Sequence, residues 1–532
     1  MVKSKYDAYN NIVEYLLDRH LAEGRGDNFC LHYKQDKYTY SHIFDLVNKA
    51  ANLFHICDIK QGDRVVLILP DSPLFIVILF GLLRIGAVPV IASNNLTIND
   101  YKYILGDSTP KGLAIAKESI PIIEQISESC LSNKYIWVVN EDDEELPTKY
   151  TLFKPSLQKS SSELLKQVIC KEDRALIQYT SGSTGKPKGV VHLHRGLLEV
   201  TQYLPERLEL SEHDIFYSGS KLSFSYGFGS SLLFPFAVGA SSVLCSNVTT
   251  PYSVYKNIYK FQPSIFFGVP TLYASLLRVP ECKKDYDLSC IRLCISGGEH
   301  LSAILFYKWK ETFGHEIING IGSTECLHLF IAGEKGKIKP GVTGTVVPGY
   351  EVKILDDNRL PVKRGEIGKL YIKSKCIAAG YLRHDKKNSL DKFNEWIFTG
   401  DMFYQDEEDY YCFFGRADYL IKVGGLKVSY REIEDCLLTH ESIKECAVVG
   451  NNNNEHELMT IVAYICLNPG WEPSNQTKKT LKQHLLQSIA PYKLPKEINF
   501  VTTELPKTTT GKISRSKLRA IGGDYKQIAK CL

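Results

Sequence analysis

The sequence lacks a strong charge imbalance and a long uninterrupted apolar segment. Its formal net charge is only +4, which gives no reason to expect nucleic acid or an anionic membrane as a partner. The most apolar stretch, Leu74–Ile91, is interrupted by Arg84, Gly86 and Pro89. It therefore predicts a buried helix followed by a strand, and no membrane insertion is expected.

Paired cysteine motifs are also absent. Fifteen cysteines occur without a C-x-x-C pair or a regular spacing, which argues against a disulfide framework and against a zinc site. The first apolar run, at residues 12–17, is broken by Glu14 and closed by Asp18, so no secretory signal is expected. Together these absences predict reduced thiols and a cytoplasmic location.

The length and the hydrophobic pattern predict an α/β protein. A chain of 532 residues is too long for one ordinary core, so we expect a large multilayered region and a smaller domain. Strand-like apolar runs alternate with helix-period segments, which is typical of α/β architecture. Strands are predicted at 64–69, 175–179, 190–192, 350–355, 368–373, 410–414, 446–450 and 458–467, and helices at 40–54, 431–438 and 478–489.

The pattern changes towards the C-terminus. From about Gly341, short strands and turns predict a distorted, barrel-like β section, and a domain boundary is expected within 415–419. We therefore predict a large N-terminal domain, residues 1–417, of layered helix-flanked sheets with that β-barrel section. A small α+β C-terminal domain, residues 418–532, follows. Within it, Asn451–Asn454 is expected to be a polar turn between two strands.

The most informative segment is a loop that follows the predicted strand at 175–179. It contains three glycines, four hydroxyl residues and two lysines within ten positions. Such a loop can curl tightly and aim N–H and O–H donors at an anion, so it predicts a phosphate site. Its residues are Thr180, Ser181, Gly182, Ser183, Thr184, Gly185, Lys186, Pro187, Lys188 and Gly189.

A solvated turn and a P-loop are two other interpretations of this loop. By composition alone, a solvated turn is simpler, because glycine, serine and threonine collect in turns. A P-loop would need glycine at the position of Thr180 and serine or threonine at the position of Pro187, so the spacing excludes it. The strand predicted at 190–192 also means that no helix N-terminus caps the loop.

The complete ten-residue string is more specific than its composition. With Tyr179 before it and His192 after it, it resembles the phosphate loop of the adenylate-forming superfamily, which includes acyl- and aryl-CoA synthetases, adenylation domains and luciferases. Other segments resemble the remaining motifs of that family, in the order of the family. They are 296–299 (S-G-G-E), 320–325 (G-I-G-S-T-E), 396–401 (W-I-F-T-G-D), 415–418 (G-R-A-D), 424–429 (G-G-L-K-V-S) and 505–513 (L-P-K-T-T-T-G-K-I).

This resemblance implies a site for ATP and Mg²⁺, with coenzyme A as co-substrate. Thr324 is expected on a phosphate and Glu325 on Mg²⁺, because a single carboxylate among substrate phosphates suits this ion. The expected nucleotide-binding residues are Thr180, Ser181, Gly182, Ser183, Thr184, Gly185, Lys186, Lys188, Gly297, Gly298, Glu299, Gly322, Ser323, Asp401, Arg416, Gly424 and Gly425. Ile321 departs from the family, which has a tyrosine against adenine there.

Three residues near the C-terminus have more specific implied roles. Asp401 is expected to bind the ribose hydroxyls, since a carboxylate can accept two donors at once. Asp418 is expected to be the hinge about which a small mobile domain turns. Lys512 is expected to be the catalytic lysine, because an ammonium is a compact charge on a flexible stem.

Two segments resemble the benzoate-CoA ligase branch of the family. They are 221–229 (K-L-S-F-S-Y-G-F-G) and 322–330 (G-S-T-E-C-L-H-L-F). The resemblance implies that Phe224 gates the acid pocket and that Ser225, Tyr226, Gly322, His328 and Leu329 line it. Ser225 and Cys326 depart from the alanine and methionine usual in that branch. For His328, the alternative is a core histidine bonded to backbone.

We therefore expect ATP-dependent activation of an aromatic acid to an acyl-AMP, followed by thioester formation with coenzyme A. One alternative is a ligase that loads an acid onto the phosphopantetheine of an acyl carrier protein. A second is a nucleotide-binding protein without turnover, against which the retention of Glu325, Asp401, Arg416 and Lys512 argues. No oligomeric state is predicted.

Overall fold

The computed structural model describes residues 6, 8–127, 131, 134–140, 147–180, 187–280, 282–382, 392–417, 420–423, 426–453, 458–501, 504–507 and 513–521. The chain divides into two compact units, of which unit 1 is Met1–Glu351 with Ile372–Ile397 and unit 2 is Val352–Tyr371 with Phe398–Leu532. The domain boundary between residues 417 and 418 stays a prediction. Within the described ranges, no helix is long and apolar enough to cross a bilayer.

The strands are numbered β1 to β27 in chain order. They are Phe29–Tyr33, Asp36–Thr39, Arg64–Ile68, Val88–Ile91, Gly112–Ala116, Tyr135–Val139, Thr151–Leu152, Arg174–Thr180, Lys188–Leu193, Ile215–Ser218, Ser241–Leu244, Ile265–Gly268, Leu293–Ser296, Ile317–Gly322, Leu329–Ala332, Thr345–Val346, Glu351–Leu355, Gly368–Lys373, Gly380–Tyr381, Lys392–Phe393, Trp396–Gln405, Tyr411–Arg416, Leu420–Val423, Leu426–Ser429, Ile443–Asn453, Leu458–Leu467 and Glu497–Phe500.

The α-helices are numbered α1 to α16 in the same way. They are Arg19–Ala22, Tyr40–Ile56, Pro73–Arg84, Ile98–Ser108, Ile120–Ile123, Phe153–Lys159, His194–Arg207, Ser225–Phe228, Phe234–Val238, Pro251–Phe261, Pro270–Leu277, Cys282–Asp285, Ala303–Phe313, Tyr430–Leu438, Asn475–Leu486 and Arg515–Ile521. Short π-helical turns lie at Glu14–Asp18 and Gly229–Leu233, and 3₁₀ turns at Lys117–Ser119, Thr324–Cys326 and Pro491–Lys493.

The first sheet of unit 1 is mainly parallel. Its strand order is β16-β15-β14-β13-β12-β10-β11-β1-β2. From β14 through β13, β12, β10 and β11 to β1, neighbouring strands pair parallel. At the two ends of the sheet, β2 pairs antiparallel with β1, and β15 pairs antiparallel with β14 and β16. Since neighbouring parallel strands end at the same edge of a sheet, the loops after β10, β12, β13 and β14 emerge together, where ligands bind in open α/β sheets.

The second sheet of unit 1 carries the Gly-rich loop. Its order is β19-β9-β8-β4-β3-β5-β6-β7. Strands β8 and β9 form an antiparallel pair in which Thr180 lies opposite Lys188, so the loop joins the ends of a hairpin. Strand β19 pairs with β9 and places Tyr381 opposite Val190. The predicted strand after the loop is thus confirmed as β9.

Helices α2 and α3 bury the apolar side chains from which both helices are predicted. The predicted face of α2, formed by Ile43, Val47, Ala51 and Phe54, is fully buried. A large apolar side chain buried to this extent contributes about 1.5–3 kcal/mol. The apolar segment before β4 is helix α3, and its Ser72 cap accepts a hydrogen bond from a backbone N–H in the first turn.

Arg84 at the end of α3 is buried in the same core. Its guanidinium donates to both carboxylate oxygens of Asp18, at 2.6 and 3.1 Å. A buried charge needs such a partner, because desolvation without one is costly. The charge that interrupts the apolar run is therefore accommodated inside the protein.

A smaller sheet occupies the stretch predicted to be barrel-like. Its order is β17-β18-β21-β20, with β22 paired to β21. Across the described part of this stretch, β17 and β20 end the series without pairing with each other, so the sheet is open and no closed barrel forms. The predicted strands at 350–355, 368–373 and 410–414 correspond to β17, β18 and β22.

The C-terminal part of unit 2 has its own α+β core. Strands β25, β26 and β27 form one sheet, and β23 pairs with β24. Apolar side chains from α14, α15 and these strands pack together, among them Ile433, Val448, Ile465 and Leu481. The small α+β fold predicted for this region is confirmed.

The turn predicted at 451–454 is wrong for its first three residues, and Asn454 lies outside the described residues. Asn451, Asn452 and Asn453 continue strand β25 and lie opposite Thr460, Met459 and Leu458 of β26. The Thr460 hydroxyl also donates to the Asn451 carbonyl at 3.2 Å. Pairing with β26 supplies the backbone hydrogen bonds that outweigh the turn preference of asparagine.

Buried histidines make the stability of the fold sensitive to acid. Burial lowers the pKa of His20 and His328 to about 3, and that of His32, His192 and His194 to about 4. The unfolded chain binds protons at these sites near pH 6.5, so stability is fully present above that pH. The free energy of unfolding should fall from pH 6.5 towards 4, by about 1.4 kcal/mol per pH unit for each group.

Urea denaturation midpoints measured at pH 7, 6 and 5 test this dependence. His194 accepts a hydrogen bond from the Ile12 N–H at 3.2 Å. His194→Gln should therefore lower by about one the number of protons that the chain takes up when it unfolds in acid. The amide oxygen of the glutamine can still accept the hydrogen bond from the Ile12 N–H. The same substitution at the exposed His55 is the matched control for replacing an imidazole by an amide. A stability that does not vary between pH 7 and 5 would contradict the expectation.

Candidate active site

The candidate acid pocket lies at the edge where β10, β12, β13 and β14 end. The Tyr226 hydroxyl donates to the carbonyl oxygens of Gly268 and Ile295, at 3.3 and 3.1 Å. These bonds attach the segment after β10 to the neighbouring strands β12 and β13. Burial raises the pKa of Tyr226 well above its ordinary value, so its hydroxyl keeps the proton that it donates.

Close packing explains two of the predicted glycines. A Cβ atom on Gly297 would lie 2.7 Å from Tyr226 Cε2 and 3.1 Å from Leu329 Cδ2. On Gly322 it would lie 2.4 Å from the His328 carbonyl oxygen. Both positions are therefore closed to any side chain. The resemblance implies that these glycines contact ligands, and the structure adds that they let the pocket segments approach each other.

A strained turn connects the candidate phosphate residues to the pocket. The 3₁₀ turn Thr324–Cys326 is followed by Leu327 at φ +65° and ψ −40°. The His328 N–H donates to the Cys326 carbonyl at 2.8 Å, which closes a γ-turn around Leu327. Such a conformation costs about 1–3 kcal/mol in a residue with a side chain. Leu327 is fully buried, so packing maintains the turn.

His328 is a neutral, buried ring within an aromatic cluster. It stacks on Tyr226 with centroids 5.1 Å apart, and Phe234 meets it edge-on at 4.5 Å. Because its pKa is lowered to about 3 by burial, it is uncharged at neutral pH. Nε2 lies 3.3 Å from the Tyr226 carbonyl, which can only accept, so Nε2 carries the proton.

The remaining ring nitrogen of His328 is therefore an acceptor. Nδ1 is buried and has no hydrogen-bonding partner among the residues that the structure describes. The alternative of a core histidine bonded to backbone accounts for Nε2 but leaves Nδ1 unexplained. Its assignment to an acid pocket stays a prediction.

A series of contacts connects the candidate acid pocket to the hairpin of β8 and β9 that carries the Gly-rich loop. Ser225 Oγ lies 3.3 Å from Thr324 Oγ1. The next residue, Glu325, accepts a hydrogen bond at Oε1 from the Tyr381 hydroxyl at 2.8 Å. The Lys188 ammonium lies 5.1 Å from the centre of the Tyr381 ring. The structure thus brings together hydroxyl, carboxylate and ammonium groups beside an aromatic pocket.

Asp71 anchors the start of the pocket segment and was not identified from the sequence. Its Oδ1 accepts a hydrogen bond from the Leu222 N–H at 3.0 Å, and burial raises its pKa to about 6. Lys221 donates to the carbonyl oxygens of Cys245 and Asn247, at 2.6 Å each. Asp71 lies between two prolines in the sequence, where its pattern indicates only a turn.

In unit 2, Asp401 and Arg416 face each other across β21 and β22. Arg416 Nη1 donates to Asp401 Oδ1 and to the Thr399 carbonyl, both at 3.0 Å. Gly400 has φ +81°, and a Cβ atom there would lie 2.7 Å from Arg416 Nη2. The two residues predicted for the ribose side of the nucleotide are therefore held together as an ion pair.

The described residues on either side of the predicted lysine loop pair with each other at the base of a hairpin in unit 2. Lys507 bridges to Ile513, and the Ser514 N–H donates to the Pro506 carbonyl at 2.7 Å. Helix α16 begins with Arg515, whose Nη2 donates to both carboxylate oxygens of Glu434, at 2.6 and 2.7 Å.

Glu434 ties this hairpin to the rest of the unit. It lies on α14, directly after β24, and its Oε1 also accepts the Val448 N–H at 2.7 Å. Burial raises the pKa of Glu434, against the opposing effect of the Arg515 guanidinium. This ion pair therefore joins the base of the hairpin to helix α14 and strand β25.

The structure does not describe every predicted site residue. Gly298, which has φ +82°, Glu299 and Ser323 follow the ends of β13 and β14, and Phe224 precedes α8. The remaining predicted residues lie outside the described residues: Ser181, Gly182, Ser183, Thr184, Gly185, Lys186, Asp418, Gly424, Gly425 and Lys512.

Two family models match the chain. The model described as "AMP-binding enzyme" matches residues 18–382, and that described as "AMP-binding enzyme C-terminal domain" matches residues 432–512. Among curated proteins, the benzoate–CoA ligase of Thauera aromatica is 35% identical over 514 residues, which cover 96% of each chain.

Solved structures give the same result. An anthranilate CoA ligase, AuaEII, in complex with anthranoyl-AMP has a TM-score of 0.91 and 35% identity, covering 99% of this chain and 100% of that one. A benzoate CoA ligase from Burkholderia xenovorans LB400 has a TM-score of 0.87 and 31% identity, covering 96% and 100%. These similarities confirm the predicted α/β fold with a large N-terminal and a smaller C-terminal domain.

The packing at Gly297 yields a test. Gly297→Ala should push Tyr226 or Leu329 aside and lower the free energy of unfolding by about 1–3 kcal/mol, as overpacking does. Gly106 on α4 is the matched control, since a Cβ atom there meets nothing within 4 Å. Gly106→Ala should stabilise the helix by about 0.5–1 kcal/mol. Urea denaturation of both variants measures the difference, and a Gly297→Ala variant as stable as the parent would refute the packing argument.

Proposed function

The chain belongs to the AMP-binding enzyme family, and from that premise we propose that it acts as an AMP-forming aryl-CoA ligase. It activates a carboxylic acid with ATP to an acyl-AMP and releases pyrophosphate. It then transfers the acyl group to the thiol of coenzyme A and releases AMP. The acid is aromatic, as the names of the benzoate and anthranilate ligases among its relatives support.

Among the described residues, one contact gives the main support for this proposal. Ser225 Oγ of the candidate acid pocket lies 3.3 Å from Thr324 Oγ1 of the candidate phosphate site. Adenylation requires an acid carboxylate within bonding distance of the α-phosphorus of ATP, so the two sites must touch. The neutral His328 ring stacked on Tyr226 offers the apolar, aromatic wall that suits a benzoate-like ring.

In the first half-reaction, a carboxylate oxygen attacks the α-phosphorus, a new P–O bond forms and the bond to pyrophosphate breaks. Lys188, Thr324 and the Gly-rich loop bind phosphate oxygens, and Lys512 bridges the carboxylate and the α-phosphate. The Glu325 carboxylate is an oxygen donor of the kind that Mg²⁺ prefers, alongside substrate phosphates. Glu325 would hold this ion, which supplies positive charge to the phosphates when bound.

In the second half-reaction, the thiol sulfur attacks the acyl carbon and AMP leaves. Lys512 would obstruct that approach, so the domain formed by residues 418–532 turns about Asp418 and presents Gly424 and Gly425 instead. Asp401 and Arg416 bind the ribose side of the nucleotide throughout. The reaction takes place in the cytoplasm, where ATP and coenzyme A are available.

A carrier protein is the alternative thiol donor, because its phosphopantetheine ends in the same group as coenzyme A. Assays with free coenzyme A and with a phosphopantetheinylated carrier protein distinguish the two acceptors. Efficient thioester formation with free coenzyme A supports the proposal, whereas transfer to the carrier alone would refute it.

The two half-reactions should respond differently to two substitutions. Lys512→Ala should lower the rate of acid-dependent pyrophosphate release by about two to three orders of magnitude, because a charge bridging the reacting groups is lost. Transfer from a preformed acyl-adenylate to coenzyme A should persist. Asp418→Pro should show the reverse, since proline stiffens the proposed hinge.

Lys517 provides the control for charge removal near the same loop. It is exposed on α16, so Lys517→Ala should leave both half-reactions within about twofold of the parent. An unchanged adenylation rate in Lys512→Ala would contradict the catalytic role assigned to Lys512. If Asp418→Pro lowered the rates of both half-reactions equally, the result would contradict the assignment of Asp418 as the hinge.

The acid can be identified by a screen of pyrophosphate release with benzoate, amino- and hydroxybenzoates, cinnamates and medium-chain fatty acids. The benzoates should give the highest kcat/KM, because a flat ring fits between stacked aromatic side chains. One extra or missing methylene in a hydrophobic pocket changes kcat/KM by about 10–200-fold, so the preference should be clear. A preference for medium-chain fatty acids would defeat the aromatic assignment.

A further inference from the structure

The sequence analysis assigns no role to Tyr381, yet this residue contacts two residues of the candidate nucleotide site. Its hydroxyl donates to Glu325 Oε1 at 2.8 Å, and the Lys188 ammonium lies 5.1 Å from its ring centre. We propose that Tyr381 is a positioning residue whose hydroxyl orients the Glu325 carboxylate towards the divalent cation and whose ring positions Lys188 for the phosphates. This rests on the proposed function.

The backbone around Tyr381 is fixed with respect to both partners. Strand β19 places Tyr381 opposite Val190 on β9, so Lys188 is the diagonal neighbour two residues away on the same face. The Ala378 N–H donates to the main-chain carbonyl of Glu325 at 2.8 Å. Two connections, one from the backbone and one from the side chain, therefore hold this segment against Glu325.

The hydroxyl contact restricts how the Glu325 carboxylate can turn. A carboxylate only accepts hydrogen bonds, so the Tyr381 proton must point at Oε1. This bond limits the rotation of the carboxylate and uses one of the lone pairs of Oε1, which leaves Oε2 available for another partner. Partners of this kind, which orient a metal-binding carboxylate, typically change metal affinity or activity by about 10–100-fold when removed.

The ring contact acts on Lys188 in a different way. An aromatic face attracts an ammonium through its quadrupole without supplying a negative charge. Tyr381 can therefore hold Lys188 in place while its positive charge stays available for phosphate. One side chain thus aligns the cation-binding carboxylate and a phosphate-binding ammonium at the same time.

Two substitutions separate these roles. Tyr381→Phe removes the hydroxyl and keeps the ring, so it should raise the half-saturating Mg²⁺ concentration for pyrophosphate release about tenfold or more. KM for the acid should stay within twofold. Tyr381→Leu also removes the ring and should raise KM for ATP in addition, because Lys188 loses its support.

Direct cation binding gives a readout that does not depend on turnover. Electron paramagnetic resonance of Mn²⁺, titrated in the presence of a non-hydrolysable ATP analogue, should show the same weakening in Tyr381→Phe. Tyr255→Phe is the matched control, because Tyr255 donates its hydroxyl to the Leu276 carbonyl at 3.0 Å. That variant should lose some stability but bind Mn²⁺ like the parent.

A double-substitution cycle with Glu325→Gln tests whether Tyr381 acts through Glu325. If it does, adding Tyr381→Phe to Glu325→Gln should change cation affinity little further. Fully additive effects, or an unchanged cation dependence in Tyr381→Phe, would overturn the positioning role. A parent enzyme that releases no pyrophosphate with any aromatic acid would instead overturn the proposed function, so the two failures are distinguishable.

Discussion

Parallel pairing of β10, β12, β13 and β14 is the constraint on which the candidate site depends. Parallel neighbours must end at one edge of the sheet, and each of these four strands continues there into a loop or turn. The chain segments after residues 218, 268, 296 and 322 consequently meet although they are far apart in sequence. Hydrogen bonds from one tyrosine hydroxyl, that of Tyr226, then connect three of these four strand ends.

Close approach at this edge has a conformational cost that buried packing offsets. Gly297 and Gly322 leave no space for a side chain, and Leu327 adopts a backbone conformation that side chains disfavour. Such strain persists only where the surroundings over-determine the backbone, and it collects at functional sites. The aromatic cluster around His328 supplies that support, so the pocket wall and the turn before it stabilise each other.

Local patterns predicted the elements well because apolar periodicity records which face is buried. The face of α2 formed by Ile43 and Val47 and the buried helix α3 follow from that pattern. Tyr381 and Asp71 could not be found this way, since each acts on a partner more than fifty residues away and neither stands in a distinctive sequence pattern. Likewise, the long pairing of β25 with β26 overrides the turn preference of Asn451, which no local window registers.

The ion pair between Glu434 and Arg515 limits where this sequence can be recombined with those of related proteins. The two residues are 81 positions apart, yet their ion pair joins helix α14, which follows β24, to the start of helix α16. A recombination point between them that brought in only one partner would leave a largely buried charge unpaired, at about 3–5 kcal/mol. In such recombinants the two residues should therefore be kept together as a pair, whatever acid the N-terminal pocket selects.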